Sequence, residues 1–202
     1  MGAGPIVVLN GAPRSGKSSI AAALGDAWVN VGVDVLSRSV VPRRCRPGIG
    51  LRPGGERPDL EPLLPALYAA LFASVAAHSR RDRPVVVDVG VHDDHSRPLG
   101  LHGLVAGRLV GLPALLVGVR CPLDEIMRRR DADPDGYVGS LPGGGTPEVV
   151  RRWEQAVHTP GVYDLEVDTS LLTPDGCAEA VRRRLADGRD PTALRLWARR
   201  PP

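Results

Sequence analysis

Short runs of branched apolar residues recur along the chain, and most are followed by a stretch whose apolar positions repeat at helical spacing. Residues 5–9 (PIVVL) predict a first strand, and Lys17 to Trp28 a helix. A short strand is expected at Val31–Val35, a helix from Leu60 to His78, and a buried strand at Pro84–Val87. A helix at Leu99–Val110, a strand at Ala114–Val119 and a helix at Leu123–Arg130 continue the alternation. The last elements are a helix at Glu148–Val157, a strand at Val162–Val167 and a helix at Pro174–Ala186. Two segments interrupt this rhythm. Residues 42–58, rich in Pro, Gly and Arg, read as a loop, and residues 131–147 (DADPDGYVGSLPGGGTP) as a mobile segment with little to bury. The basic, Pro-ended residues 188–202 are expected to form a loosely held tail.

Strands alternating with helices predict an α/β chain with a parallel sheet, whose ligands gather at the carboxyl ends of the strands. No internal repeat or long linker divides the chain, so residues 1–187 are expected to fold as one domain.

Composition refines this picture. Hydrophobic residues make up 43% and aromatics only 3%, so the core must rest on Val, Leu, Ile and Ala, as a parallel sheet covered on both faces does. No segment is expected to reach the roughly 18 apolar residues of a membrane span. The apolar start lacks the basic leader of a signal peptide. Three cysteines (Cys45, Cys121, Cys177), odd in number and without a CxxC pair, argue against a disulfide framework or a zinc site, and predict a cytoplasmic protein with reduced thiols. The net charge of +3 comes from 26 basic residues scattered among 23 acidic ones. With one Phe and three Tyr there are few stacking platforms, so nucleic acid is not the expected partner.

One detail of composition carries more weight. Of the 26 basic residues only Lys17 is a lysine. It stands in Gly11-Ala12-Pro13-Arg14-Ser15-Gly16-Lys17-Ser18, the Walker-A pattern GxxxxGK[ST], directly after one predicted strand and before one predicted helix. In that setting the backbone N–H groups of the loop turn inward around a phosphate, and the helix presents its positive end to the same anion. An ammonium is a compact charge that arginine's planar fork does not simply replace. Lys17 is expected to reach the β- and γ-phosphates of ATP, and the Ser18 hydroxyl to bind Mg²⁺.

Two aspartates follow apolar runs. Asp34, expected at the end of the second strand, could accept the proton of an incoming hydroxyl; by spacing alone it could equally be a surface turn residue. Asp88 ends the run Pro84–Val87, the Walker-B arrangement in which a carboxylate holds Mg²⁺ directly or through water. Just beyond, His92, Asp93, Asp94 and His95 form a dense polar group. They read as acceptor-binding residues, as a polar loop capping the next helix, or less readily as metal ligands, since adjacent ligands do not converge without distant partners.

Together these residues resemble the chloramphenicol phosphotransferase family of small P-loop kinases. Ile6 to Ser18 is similar to that family's ILNG…GKS opening, and Trp28 with Gly32-Val33-Asp34 to its W…GVD element. Val117-Gly118-Val119-Arg120-Cys121 matches its VGVRC strand, and His158 with Tyr163-Asp164-Leu165-Glu166-Val167-Asp168-Thr169 matches VH…YDxEVDT. The resemblance runs from about residue 5 to 187. It implies a three-layer, nucleoside-kinase-like P-loop NTPase fold with a small mobile lid at about 128–147. It implies transfer of the ATP γ-phosphate to a hydroxyl of an antibiotic or other small metabolite. Asp34 would be the base, Lys17 and Arg129 would stabilise charge, and Arg128 would join the loop in binding nucleotide. Ser18 and Asp88 would hold Mg²⁺, and Asp34, His92, Asp93 and Asp94 would meet the acceptor.

Two departures qualify the resemblance. The family's lid carries further arginines after the one matched by Arg129, whereas Asp131 to Gly136 here contains none. The segment after Asp88 and the loop at 42–58, with six arginines among residues 38–57, also differ; both are expected to border the acceptor. Those arginines suit either an anionic acceptor or a solvated loop. A nucleotide-binding protein without efficient transfer is the alternative reading, and a homo-oligomer is compatible with everything above.

Overall fold

The computed structural model describes residues 2–35, 52–55, 57–133 and 138–199. Its centre is a five-stranded, wholly parallel sheet of β1 (Ile6–Asn10), β2 (Val29–Asn30), β3 (Val85–Val89), β4 (Ala114–Arg120) and β5 (Leu165–Asp168), in the order β2-β3-β1-β4-β5. Every residue of β1 is buried, because both faces of this central strand are covered. Strand alternation sends Ile6, Val8, Val85 and Val87 to one core, with α2 (Leu64–Ser79), α3 (Leu101–Leu109) and α7 (Ala193–Ala198). Val7, Leu9, Val86 and Val117 enter the opposite core, under α1 (Lys17–Ala23) and α6 (Pro174–Ala186). A third, smaller cluster joins Ala12 of the phosphate loop to α4 (Leu123–Ala132) and α5 (Glu148–Val157) through Ile126, Met127, Val150 and Val157.

Most expected elements stand where the pattern placed them, and the exceptions have identifiable causes. The helix expected to reach Trp28 stops at Ala23, because Gly25 adopts φ 94° and its N–H bonds back to Ala22 O. The second strand is Val29–Asn30 rather than Val31–Val35, and residues 33–35 already turn into a helix. Asp34 is therefore an exposed residue of a first helical turn, not the end of a strand. The last strand begins at Leu165 because the residues before it are engaged otherwise: Tyr163 packs on Gly118, and Asp164 Oδ2 accepts from Leu116 N at 3.0 Å.

The tail also differs from expectation. Residues 193–198 form α7, whose N-terminal Thr192 and Ala193 N–H groups donate to Asp164 Oδ1 at 2.6 and 3.0 Å. Trp197 is 1% exposed and meets the His102 ring edge-on, with centroids 4.6 Å apart. An apolar anchor every fourth residue, Ala193 and Trp197, holds a segment whose charge suggested a loose end.

Contrary to the composition reading, one helical stretch among the described residues, Glu61–Ser79, is long and apolar enough to cross a membrane by length and composition alone. In the fold it is a core element. Leu64, Leu71, Phe72 and Val75 are buried in the first core, and the buried Glu61 carboxylate accepts from Ser96 N at 2.9 Å. Cys121 and Cys177 are buried free thiols, whereas Cys45 and most of the loop at 42–58, with Arg38, Arg43, Arg44 and Arg46, lie outside the described residues.

Candidate active site

The phosphate loop leaves β1 at its carboxyl end and closes on the N-terminus of α1. Asn10, the last residue of β1, is fully buried and works as a strut. Its amide donates to Val157 O at 2.7 Å, and its carbonyl oxygen accepts from Val91 N at 2.7 Å. The loop's exit is thus tied both to α5 and to the segment after β3. Gly16 sits at φ 98°, a left-handed conformation that favours glycine, and a Cβ there would lie 3.1 Å from Thr169 Cγ2. Gly90 has a steric reason of another kind: its Cβ would come within 3.2 Å of Gly11 O.

The predicted charge centre comes together. Lys17 is 9% exposed, donates from Nζ to Ala12 O at 2.8 Å, and lies 3.7 Å from Asp88 Oδ1. Ser18 Oγ donates to Asp88 Oδ2 at 2.5 Å. Gly11, Ala12 and Ser15 are buried, whereas Pro13, Arg14 and Gly16 are partly exposed. A hydroxyl and a carboxylate at this distance are the hard oxygen donors that suit Mg²⁺, which commonly takes only one or two protein ligands and completes its shell with water and phosphate. Among the described residues no group of three or more potential metal ligands occurs.

The turn that holds Asp34 stands close to this centre, a placement the strand reading missed. Gly32 lies against Asp88, its hypothetical Cβ 3.5 Å from both the Asp88 Cβ and carbonyl oxygen. That places the first turn holding Asp34 beside the end of β3. Burial, followed by the negative charges of Asp93 and Asp34, pushes the Tyr68 phenol above its ordinary range. Tyr68 and the two aspartates therefore share one neighbourhood.

The residues after β3 divide their work. Asp93 Oδ1 accepts from Leu101 N at 2.9 Å, and Oδ2 from the His102 ring at 2.6 Å, which caps α3. Burial works against ionisation here, yet the bonds from His102 and Leu101 outweigh it and hold the carboxyl at about 2. Asp94 forms a two-pronged pair with Arg152 of α5, at 2.6 and 2.7 Å. The His92 ring is buried and lies tilted by 32° against His95, with centroids 4.4 Å apart. For Asp93 the helix-capping alternative is what the geometry shows. Asp94 is likewise engaged within the protein, so neither carboxylate is presented as an open acceptor contact.

On the lid side Arg129 and Arg128 part company. Arg128 is 71% exposed in its side chain and grips Glu125 through two 2.7 Å bonds. Arg129 is tied to the loop: Nη1 donates to Arg14 O at 3.3 Å and Thr169 Oγ1 at 3.1 Å, and Nη2 donates to Thr169 O at 2.9 Å. Arg14, at φ 70°, reaches Asp133 at the end of α4 through bonds of 2.6 and 2.8 Å. Of the expected lid, residues 134–137 lie outside the described residues.

Beneath the loop lies a net that sequence reasoning did not assign a role. His158 Nδ1 is 2.7 Å from Tyr163 Oη, which donates to Val157 O at 3.1 Å. Burial, then the nearby charges of Arg120 and Lys17, push His158 down to about 3. Gly118 makes room for this arrangement, since a Cβ there would come within 2.6 Å of the Tyr163 ring. Only the recurrence of Asn10, Gly118, His158 and Tyr163 within the quoted motifs hinted at them.

A five-stranded parallel sheet in this order, with a glycine-rich loop between β1 and α1 and an aspartate on the neighbouring β3, defines a P-loop kinase fold. Solved structures share it: the APS kinase of Mycobacterium tuberculosis with AMPPNP and APS bound (18% identity, 93% of this chain and 100% of that one, TM-score 0.59). The tunicamycin resistance protein of Deinococcus radiodurans (17%, 90% and 95%, TM-score 0.58) and the shikimate kinase of Acinetobacter baumannii with shikimate (11%, 92% and 95%, TM-score 0.61) are similar too. The chain belongs to the chloramphenicol phosphotransferase-like family, whose model matches residues 4–186. A search of curated proteins finds no match.

Proposed function

We propose that this protein is an ATP-dependent O-phosphotransferase acting on a hydroxyl of an antibiotic or other small metabolite. The observation that carries the reading is the meeting of Lys17, Ser18 and Asp88 at the mouth of a phosphate loop, with the Ser18 hydroxyl 2.5 Å from the Asp88 carboxylate. Membership of the family supports it. Lys17 and the backbone N–H groups of Gly11–Ser18 bind the phosphates of ATP, and Lys17 offsets negative charge that develops on the transferring phosphoryl group. Ser18 and Asp88 hold Mg²⁺, which when bound neutralises phosphate charge. Asp34 accepts the acceptor's hydroxyl proton as the new O–P bond forms and the bond to the ADP oxygen breaks. Arg129 supplies a second positive charge at the loop, and positioning by the buried Asn10 net contributes the remainder. Since Asp93 and Asp94 are occupied, recognition of the acceptor falls to Asp34 and the surfaces around His92 and Tyr68. A cytoplasmic setting, where ATP is plentiful and thiols stay reduced, suits this chemistry.

The test is a screen of hydroxylated metabolites, chloramphenicol among them, for ATP-dependent phosphate transfer, read as ADP release and as mass gain of the acceptor. A phosphorylated acceptor whose formation depends on Lys17 and Asp34 is the expected result. Tight ATP binding without transfer to any acceptor would favour the alternative, a nucleotide-binding sensor, which the arginine-free Asp131–Gly136 stretch favours.

A further inference from the structure

Thr169 closes the last motif of the sequence and has no part in the roles assigned above. It follows directly on the edge strand β5, yet its hydroxyl donates to Ser15 O, inside the phosphate loop, at 2.7 Å. The same oxygen accepts from Arg129 Nη1 at 3.1 Å, and the Thr169 carbonyl accepts from Arg129 Nη2 at 2.9 Å. Its own N–H is bonded to Arg120 O at 3.0 Å, which anchors it to the end of β4. Its methyl group lies against Gly16, and the guanidinium of Arg129 comes as near, with Nη1 3.3 Å from where a Gly16 Cβ would stand.

These bonds have a directional consequence. A guanidinium carries its five donors in one rigid plane, so its orientation is set by whichever acceptors meet them. Glu125, one turn earlier on α4, takes Nε at 2.7 Å. That contact and a longer one from Nη1 to Arg14 O, at 3.3 Å, hold the fork only loosely on a long side chain, whose freedom is costly to remove at the moment of binding. Thr169 meets the other two nitrogens and so orients the fork toward the residue that precedes Lys17.

We propose that Thr169 is a positioning residue for phosphoryl transfer, holding Arg129 beside the Gly16–Lys17 turn while bracing the loop through Ser15. The inference rests on the reading of this loop as the ATP site. Thr169 acts through Arg129 and makes no claim on the phosphates itself.

The experiment compares wild type, Thr169→Val, Thr169→Ser, Arg129→Ala and the Thr169→Val/Arg129→Ala double variant. ATP affinity is measured by calorimetry, and hydrogen exchange across α4 is followed without nucleotide. Valine keeps the shape and loses the hydroxyl, so affinity should fall roughly tenfold, the usual worth of a hydrogen bond to a charged group. Serine should restore most of it. The double variant should bind no more weakly than Arg129→Ala alone, because the two residues act as one unit. Exchange in the last turn of α4 should rise in Thr169→Val. Unchanged affinity, or losses that add in the double variant, would overturn the proposal. If Thr169→Val does not fold, Thr169→Ser set against Thr169→Ala carries the same comparison. Wild-type protein that fails to bind ATP overturns both readings together, whereas ATP binding with additive losses overturns this one alone.

Discussion

The two ends of the candidate site are built by different means. At the nucleotide end, one short segment supplies the chemistry: Lys17 and Ser18 are adjacent in sequence, and their partner Asp88 stands on the neighbouring strand. Buried polar atoms brace that end, with Asn10 reaching Val157 and Val91, and Thr169 reaching Ser15. At the other end, past β3, the contacts lie nearer solvent. Asp94 and Arg152 pair across elements with side chains 34% and 49% exposed, and Gly54 N bonds to Asp94 O at 2.9 Å. Backbone geometry and one helix terminus suffice to hold a phosphate. Loop side chains such as these can change without disturbing the sheet.

Four experiments sharpen this contrast, the largest expected effect first. Lys17→Ala should abolish phosphate transfer and weaken ATP binding by at least about a hundredfold, because no second lysine exists to take its place. Calorimetry showing unchanged affinity would remove the phosphate-loop assignment.

Asp34→Asn should lower kcat by about 10²–10⁴, the usual worth of a positioned proton acceptor, while leaving nucleotide affinity nearly unchanged. That split between kcat and binding is what separates the two ends. Near-native turnover would move the base to another residue.

Acid should loosen the nucleotide end first. His158 titrates at about 3 in the folded protein, and an unfolded histidine near 6.5. Between those values the unfolded chain binds a proton that the folded chain refuses. Stability should therefore be full above about pH 6.5 and decline as pH falls towards 3, by up to about 1.4 kcal/mol per pH unit from this residue. Burial lowers His95 as well, which adds to the decline in the same direction. His158→Gln should flatten the curve of denaturation midpoint against pH by about one proton's worth. An unaltered slope would show that His158 is not buried in its neutral form.

The smallest effect belongs to the rim past β3. Asp94→Asn breaks a partly exposed ion pair, and such pairs contribute little to stability. Thermal melting, ATP affinity and KM for the acceptor should all barely move, since Asp94 is engaged by Arg152 and is not presented to the acceptor. A marked fall in ATP affinity would show that the two ends are not independent.

How much of this was legible in advance depends on range. Gly11–Ser18 and the run ending at Asp88 were readable because each needs only local chemistry: a glycine-rich turn between a strand and a helix, and an apolar strand with one acid. Asp34 was picked out, but in the wrong setting. An edge strand of two residues leaves too little periodicity to fix where it ends, and the contact of Gly32 with Asp88 decides the matter. Gly25, by contrast, was a readable stop for α1 that the apolar pattern beyond it obscured.

By itself, then, the order of residues determined the α/β alternation, the covered parallel sheet and the loop that carries Lys17, since these follow from period, burial and backbone freedom within a few residues. Tertiary structure alone decided that Asp93 caps α3, that Arg129 is held by Thr169, and that Trp197 buries the tail against His102. The physical reason is the same in each case. A charged or polar side chain of this kind has several possible partners of similar strength, and the packing of distant elements brings only one of them within hydrogen-bond reach.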